Sequence, residues 1–177
     1  MGTWNSRGLR GSALEELINL TNEQYKTKNL ALIQKIPTPI TPVRIDQSTR
    51  HITLAYFDSK STVDYIGVVQ GIPVCFDAKE CATDTFPLDN IHEHQIEFMD
   101  QFERQEGISF FIIYYSSRHE TYYVPYRTVK IFYDRAKAGG RKSFRFDEID
   151  QNYKIGKGVG FPLHYLEQLQ KDLNERD

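Results

Sequence analysis

Apolar and polar side chains along this chain recur at two spacings, one of two residues and one of three to four. The clearest stretch of the first kind is 62–80, TVDYIGVVQGIPVCFDAKE, interrupted only at Gln70-Gly71. It predicts two strands, 62–69 and 72–79, joined by a two-residue turn, because β-branched and aromatic residues alternate on both sides of that pair. Facing residues then have numbers that sum to 141, so Val69 faces Ile72, Asp64 faces Asp77 and Thr62 faces Lys79. Side chains alternate faces along a strand, so Val63, Tyr65, Gly67, Val69, Ile72, Val74, Phe76 and Ala78 share one apolar face that belongs in the core. The opposite face is apolar near the turn, with Ile66, Val68, Pro73 and Cys75. At its open end it is polar, with Thr62, Asp64, Asp77 and Lys79. Pro73 is expected to remove one ladder hydrogen bond.

Ahead of this hairpin, Ser12-Ala13-Leu14-Glu15 forms a capping box, and Leu14, Leu17, Ile18 and Tyr25 recur at helical spacing to about Lys26. A strand is predicted over 30–35. Pro37, Pro39 and Pro42 then exclude a central strand or a helix, and a strand returns over 49–57. Residues 36–57 therefore read as an extended, proline-stiffened excursion from the body. After the hairpin, 84–87 is expected to be a loop and Asp89 an N-cap. Ile91, Gln95, Phe98 and Phe102 line one face of a helix ending near Gly107. The run 108–116, ISFFIIYYS, predicts a central strand, 120–124 another strand, and 129–138 a helix stopped by Gly139-Gly140. A basic loop follows at Arg141-Lys142-Ser143, and Leu163, Leu166, Leu169 and Leu173 mark a last amphipathic helix. Strands interspersed with helices make the fold class α/β, with 1–177 as one domain.

Composition narrows the setting. Hydrophobic residues at 40% and aromatics at 13% suit a folded chain, and no apolar run approaches the ~20 residues of a membrane helix. No positively charged, apolar leader opens the chain, so a cytoplasmic protein with no membrane partner is expected. Cys75 and Cys81 read as buried thiols, in keeping with a reducing compartment. The net charge of −2 is unevenly spread. Residues 1–60 hold 8 Lys/Arg against 5 Asp/Glu, 127–157 hold 9 against 4, and 61–126 only 3 against 11. An acidic pocket rimmed by basic surface would suit an enzyme acting on a polyanion, and uneven charge is equally common in ordinary domains.

Two carboxylates directly opposite one another repel. The pair Asp64 and Asp77 is therefore either solvated at the strand ends or neutralised by a divalent cation, which takes carboxylate oxygens. Lys79 beside them could face a phosphate. Gln95, polar on an apolar helix face, needs a partner that the same site would offer. His92 and His94 are two apart and do not share a helix face, which makes them poor joint zinc ligands. Glu15 is accounted for as the capping partner. Arg7, Arg10, Arg44, Arg50, Arg141 and Lys142 are the candidate phosphate contacts.

Asp64, twelve residues, then Asp77-Ala78-Lys79 fits the short PD-(D/E)xK nuclease pattern. Around it, SRGLRGSALEELINLTNEQY, IQKIPTPITPV, AYFDSKSTVDYIGV, FDAKE, FPLDNIHEHQIEFM and GGRKSF occur in order over most of the chain. Together these blocks resemble the RecU family of Holliday junction resolvases. The resemblance implies a homodimeric, Mg²⁺-dependent endonuclease, with Mn²⁺ as a substitute ion, built on a restriction-endonuclease-like core with a mixed central sheet flanked by helices. It implies that Thr62, Asp64, Asp77 and Gln95 fall on the metal-site positions, Lys79 on the transition-state stabiliser, and Glu15 on the acidic position of the first helix. Residues 36–57 would be a projecting stalk that enters the open centre of four-way junction DNA. RecA and the branch-migration helicase are partners by resemblance only. The chain departs from the family in carrying Asp77 where Glu is usual, in a loop one residue shorter before Gln95, and in a less basic stalk. Two other functions remain in play: another nuclease of the same core, and a junction-binding or recombinase-modulating protein that has lost catalysis.

Overall fold

The computed structural model describes residues 13–57 and 62–176. Helix α1 (Ala13–Thr27) leads into strand β1 (Ala31–Lys35). The ribbon strands β2 (Ile40–Asp46) and β3 (His51–Phe57) come next, followed by the hairpin β4 (Tyr65–Val69) and β5 (Ile72–Cys81). Then come β6 (Thr85–Pro87), α2 (Glu93–Glu103), β7 (Ile108–Tyr115), β8 (Glu120–Pro125), α3 (Tyr126–Lys137), β9 (Ser143–Arg145) and α4 (Leu166–Asn174). Five strands form one sheet in the order β1-β4-β5-β7-β8. Only β5 and β7 run parallel, joined by the crossover through α2. The α/β class with a mixed, helix-flanked sheet is what the chain adopts.

The hairpin has the expected register, with Val69 opposite Ile72 and Tyr65 opposite Phe76. Gln70 and Gly71 both have positive φ, 48° and 90°, the conformation of a tight hairpin turn whose twist matches the strands. Pro73 costs no ladder bond. Its pair with Val68 is the non-hydrogen-bonded kind, and the ladder to β7 starts one residue later, at Val74 opposite Ile108. Regular pairing begins only at Tyr65, and this corrects the face assignment. Val63 lies in the core layer of Cys75 and Phe111, on the other side of the sheet from Tyr65 and Phe76.

Both faces of the sheet are buried. One packs Ile96, Met99, Val129 and Phe132 of α2 and α3 against Cys75, Phe111 and Ile113. The other packs Leu14, Ile18, Tyr25 and Leu169 of α1 and α4 against Val74, Phe110 and Ile112. On that second face one aromatic ring from each of β4, β5, β7 and β8 stacks across the sheet. Tyr65 lies on Phe76 at 4.7 Å, Phe76 on Phe110 at 4.7 Å, and Phe110 on Tyr123 at 4.3 Å between centroids. Such offset stacks add about 0.5–1.5 kcal/mol each beyond burial. β1 and β4 approach so closely that a Cβ at Gly67 would lie 2.1 Å from the Leu32 carbonyl oxygen. At the far side, buried Asp172 accepts from Tyr123 Oη at 2.6 Å and pairs with Arg127 at 2.9 Å and Arg176 at 3.1 Å. Arg176 continues to Glu103 at 2.7 Å, tying α4 to α2.

Other expectations change in detail. Leu17 is exposed, so the buried stripe of α1 is Leu14, Ile18, Thr21, Asn22 and Tyr25. Ser12 of the capping box lies outside the described residues. The loop expected at 84–87 contains β6, which pairs with β9. The helix expected after Asp89 starts later, with His92 as its N-cap. Leu163 is buried but precedes α4. Residues 40–57 form a two-stranded ribbon hydrogen-bonded to neither of the other sheets, and Pro42 adjoins its irregular register. Ile45, Ile52, Leu54 and Tyr56 of the ribbon are exposed. Cys75 and Cys81 are free, buried thiols, and burial pushes the Cys75 thiol up to about 12.

Candidate active site

The acidic pair is assembled by main-chain hydrogen bonds. Asp77, on β5, is fully buried. Asp64, one residue ahead of β4, donates its N–H to Asp77 Oδ1 at 3.1 Å, and its own Oδ2 accepts from the Ala78 N–H at 2.9 Å. The Asp64 carbonyl accepts from the Ile36 N–H at 2.8 Å, which fixes the approach to β4 from the β1 side. The two carboxylates therefore meet at the open end of the hairpin, one residue beyond the paired ladder.

Lys79 Nζ lies 2.5 Å from Asp77 Oδ2, with little solvent exposure for the lysine. That oxygen accepts no hydrogen bond of regular geometry among the described residues, so the ammonium is its one close counter-charge. Gln95, in the first turn of α2, donates through Nε2 to Asp77 Oδ1 at 2.9 Å. Its Oε1 accepts from the His92 N–H at 3.1 Å and lies 3.5 Å from Lys79 Nζ. The amide thus serves as helix cap and as clamp on Asp77 at once. Burial, and then the charge of Asp77, push the Asp64 carboxyl up to about 6, against the pull of the Ala78 N–H.

The remaining candidates are dispersed over the chain. Thr62 stands half-buried in a bend three residues ahead of β4, which begins at Tyr65 and not at 62 as the alternation predicts. Glu15, on the first turn of α1, pairs with Lys35 at the end of β1, and Lys35 faces Tyr65 across the β1–β4 ladder. Arg44 lies in the ribbon and Arg50 in its turn, where φ is 57°. Arg141 is held by Glu148, whereas Lys142 lines a cleft of about 480 Å³ with His92, Glu93, Tyr133 and Lys137. Arg7 and Arg10 lie outside the described residues. Periodicity gave no sign of Lys35, because its place beside Glu15 depends on a β1–β4 register set between strands 30 residues apart.

The donor set fits a hard divalent cation. The Asp77 Oδ2 atom is buried without a hydrogen bond of regular geometry, the Asp64 carboxyl is pushed up by burial and its neighbour's charge, and the Lys79 ammonium is the positive group already beside them. Among the described residues no group of three or more His, Cys, Asp or Glu side chains is arranged to hold a metal. Two carboxylates suit Mg²⁺, which keeps waters and takes substrate phosphates as its other partners.

The family described as Recombination protein U, RecU, matches residues 9–171. This chain belongs to the RecU family. A curated relative from Geobacillus sp. (strain WCH70), named Holliday junction resolvase RecU, is 39% identical over 169 residues, covering 93% of this chain and 84% of the relative. Proteins of the same name from Listeria monocytogenes and Oenococcus oeni are each 40% identical, covering 84% and 87% of their lengths. Among solved structures, the Holliday junction resolvase Hjc of Archaeoglobus fulgidus matches with a TM-score of 0.35 and 8% identity over 64% of this chain and 75% of that one. Among the described residues of this RecU protein, no helix is long and apolar enough to cross a membrane.

Proposed function

We infer that this chain is an endonuclease that resolves four-way DNA junctions, like the relatives named above, and that it needs Mg²⁺ or Mn²⁺ to do so. The observation that carries the reading is the buried pair Asp64 and Asp77 beside Lys79, within a chain of the RecU family. Asp64 and Asp77 would hold the cation, with Thr62 in the bend two residues ahead of Asp64. When bound, the cation supplies Lewis-acid polarisation of the scissile phosphate and acidifies water at the site. The Ala78 N–H and the Gln95 amide fix the two carboxylates from behind, so their oxygens stay aimed at one point. Lys79, now paired with Asp77, is placed to donate to the phosphate oxygen on which charge grows.

Cleavage of a junction with two-fold symmetry calls for two such sites, and a homodimer would bring them to paired strands. Arg44, Arg50 and Lys142 would contact phosphates without reading bases, so affinity falls with salt and substrate choice follows shape. Residues 36–57 would serve as the stalk that enters the junction centre. A second reading, junction binding without cleavage, is favoured by one feature. Asp77 stands where the family usually has Glu, one methylene further from substrate, and its outer oxygen is already neutralised by Lys79.

The test is incubation with Mg²⁺ and labelled four-way, nicked and linear DNA. Paired symmetric nicks confined to the four-way substrate, abolished in Asp64→Asn and Asp77→Asn with binding retained, are expected. Unchanged cutting by either variant refutes the assignment, and binding without any cutting by the wild type, in Mg²⁺ and Mn²⁺, establishes the second reading.

A further inference from the structure

The two oxygens of Asp77 are engaged differently. Oδ1 accepts from the Asp64 N–H at 3.1 Å and from Gln95 Nε2 at 2.9 Å, which uses both of its lone pairs. Oδ2 is buried and accepts no hydrogen bond of regular geometry among the described residues. It is the oxygen of Asp77 left for a cation, and Lys79 Nζ lies against it at 2.5 Å.

Residues 77 and 79 are two apart on one strand, so both side chains leave the same face of β5. The ammonium is held on that face by charge more than by directed bonds. Its other contact is long, 3.5 Å to Gln95 Oε1, and that amide oxygen already accepts from the His92 N–H at 3.1 Å. The lysine side chain keeps 17% of its surface exposed, whereas that of Asp77 keeps none. The ammonium thus has a way out to solvent, and the carboxylate does not. A hard divalent ion sits about 2.1 Å from a carboxylate oxygen. With the ammonium 2.5 Å from the same oxygen, two like charges would crowd where little water screens them.

We propose that Lys79 is the resident counter-ion of the cation-free site, and that a divalent cation enters by displacing its ammonium from Asp77 Oδ2, which frees the lysine for a phosphate oxygen. The proposal rests on the reading of Asp64 and Asp77 as cation holders. It gives the lysine two successive partners, the carboxylate before loading and the substrate after it. Because the ion pair must open first, the apparent cation affinity of the wild type is lowered by the fraction of molecules in which Oδ2 is uncovered.

The experiment is calorimetric titration of the DNA-free protein with Ca²⁺, comparing the wild type with Lys79→Met and Lys79→Arg. Methionine keeps an unbranched chain without the charge, and arginine keeps the charge. Lys79→Met should bind Ca²⁺ about tenfold more tightly than wild type or better, as expected where the ammonium covers Oδ2 in about nine molecules of ten. Lys79→Arg should bind no more tightly than wild type. Removing the lysine leaves Asp77 buried without a counter-charge, so Lys79→Met should also melt lower in EDTA. A second readout needs no variant: the rate at which an acetylating reagent modifies Lys79, followed by mass spectrometry with exposed Lys26 as reference, should rise on saturation with Ca²⁺. A purely structural lysine predicts the lower melting point without tighter Ca²⁺ binding. That result overturns the proposal, as does a modification rate indifferent to bound Ca²⁺, or equal tightening in Lys79→Arg. Absence of Ca²⁺ binding in both the wild type and Lys79→Met instead overturns the site assignment beneath it.

Discussion

Asp64 should destabilise the cation-free protein in proportion to its charge. The carboxyl is shifted from 3.8 to about 6 by burial and by Asp77. Between those values the unfolded chain has released the proton while the folded chain keeps it. The folded state then binds more protons, and stability falls as pH rises. At about 1.4 kcal/mol per pH unit the full penalty is about 3 kcal/mol, reached above pH 6, with about 1 kcal/mol already present at pH 4.5. Asparagine at this position does not titrate. In EDTA, the melting point of Asp64→Asn relative to wild type should therefore rise between pH 4.5 and pH 8 by the equivalent of about 2 kcal/mol, roughly 4–8 °C for a domain of this size. Titrating groups away from this pair cancel in the comparison. Added Mg²⁺ should raise the wild-type melting point at pH 8 and leave the variant unchanged. A gap between the two proteins that stays constant with pH would falsify the account, since a fixed offset reflects packing and not charge.

Two further outcomes test the frame around the site. Gly67→Ala places a methyl group 2.1 Å from the Leu32 carbonyl oxygen and 2.8 Å from Ile33 Cα, so β1 must move off β4. Urea unfolding should show a loss of about 3 kcal/mol, at the upper end for overpacked sites; a loss under half of that means the strands can separate freely. Arg176→Ala leaves buried Asp172 and Glu103 without their shared guanidinium. Chemical unfolding should report a cost of about 3–5 kcal/mol, and a near-neutral result would show that Arg127 alone satisfies Asp172.

Much of the site was legible because a two-residue turn permits one register. Once Gln70 and Gly71 are the turn, extending the register by one residue places Asp64 opposite Asp77, and a main-chain hydrogen bond brings them together there although the ladder itself ends at Tyr65. Gln95 was found by the same logic, as a polar residue on an apolar stripe in need of a partner. What escaped depends on contacts distant in sequence. Three-residue strands such as β6 and β9 are too short to show a period, and their pairing joins residues about 60 apart. Val63 was placed on the wrong face because alternation was extended past the point where pairing stops. The complete burial of Asp77 follows from α2 lying over it, which no local pattern encodes. Arg141 and Lys142 look equivalent in sequence, and only the fold shows that Glu148 holds the first.

The row of stacked rings under the sheet has a consequence for how the acidic pair responds to its surroundings. Asp64 and Asp77 each adjoin a member of that row, Tyr65 and Phe76, on neighbouring strands. Their main chains should therefore be among the slowest to exchange amide hydrogens with solvent. Mutual repulsion cannot be relieved by the strands drifting apart. The conflict is stored in the native state, and little conformational freedom would remain to be lost on binding a cation there.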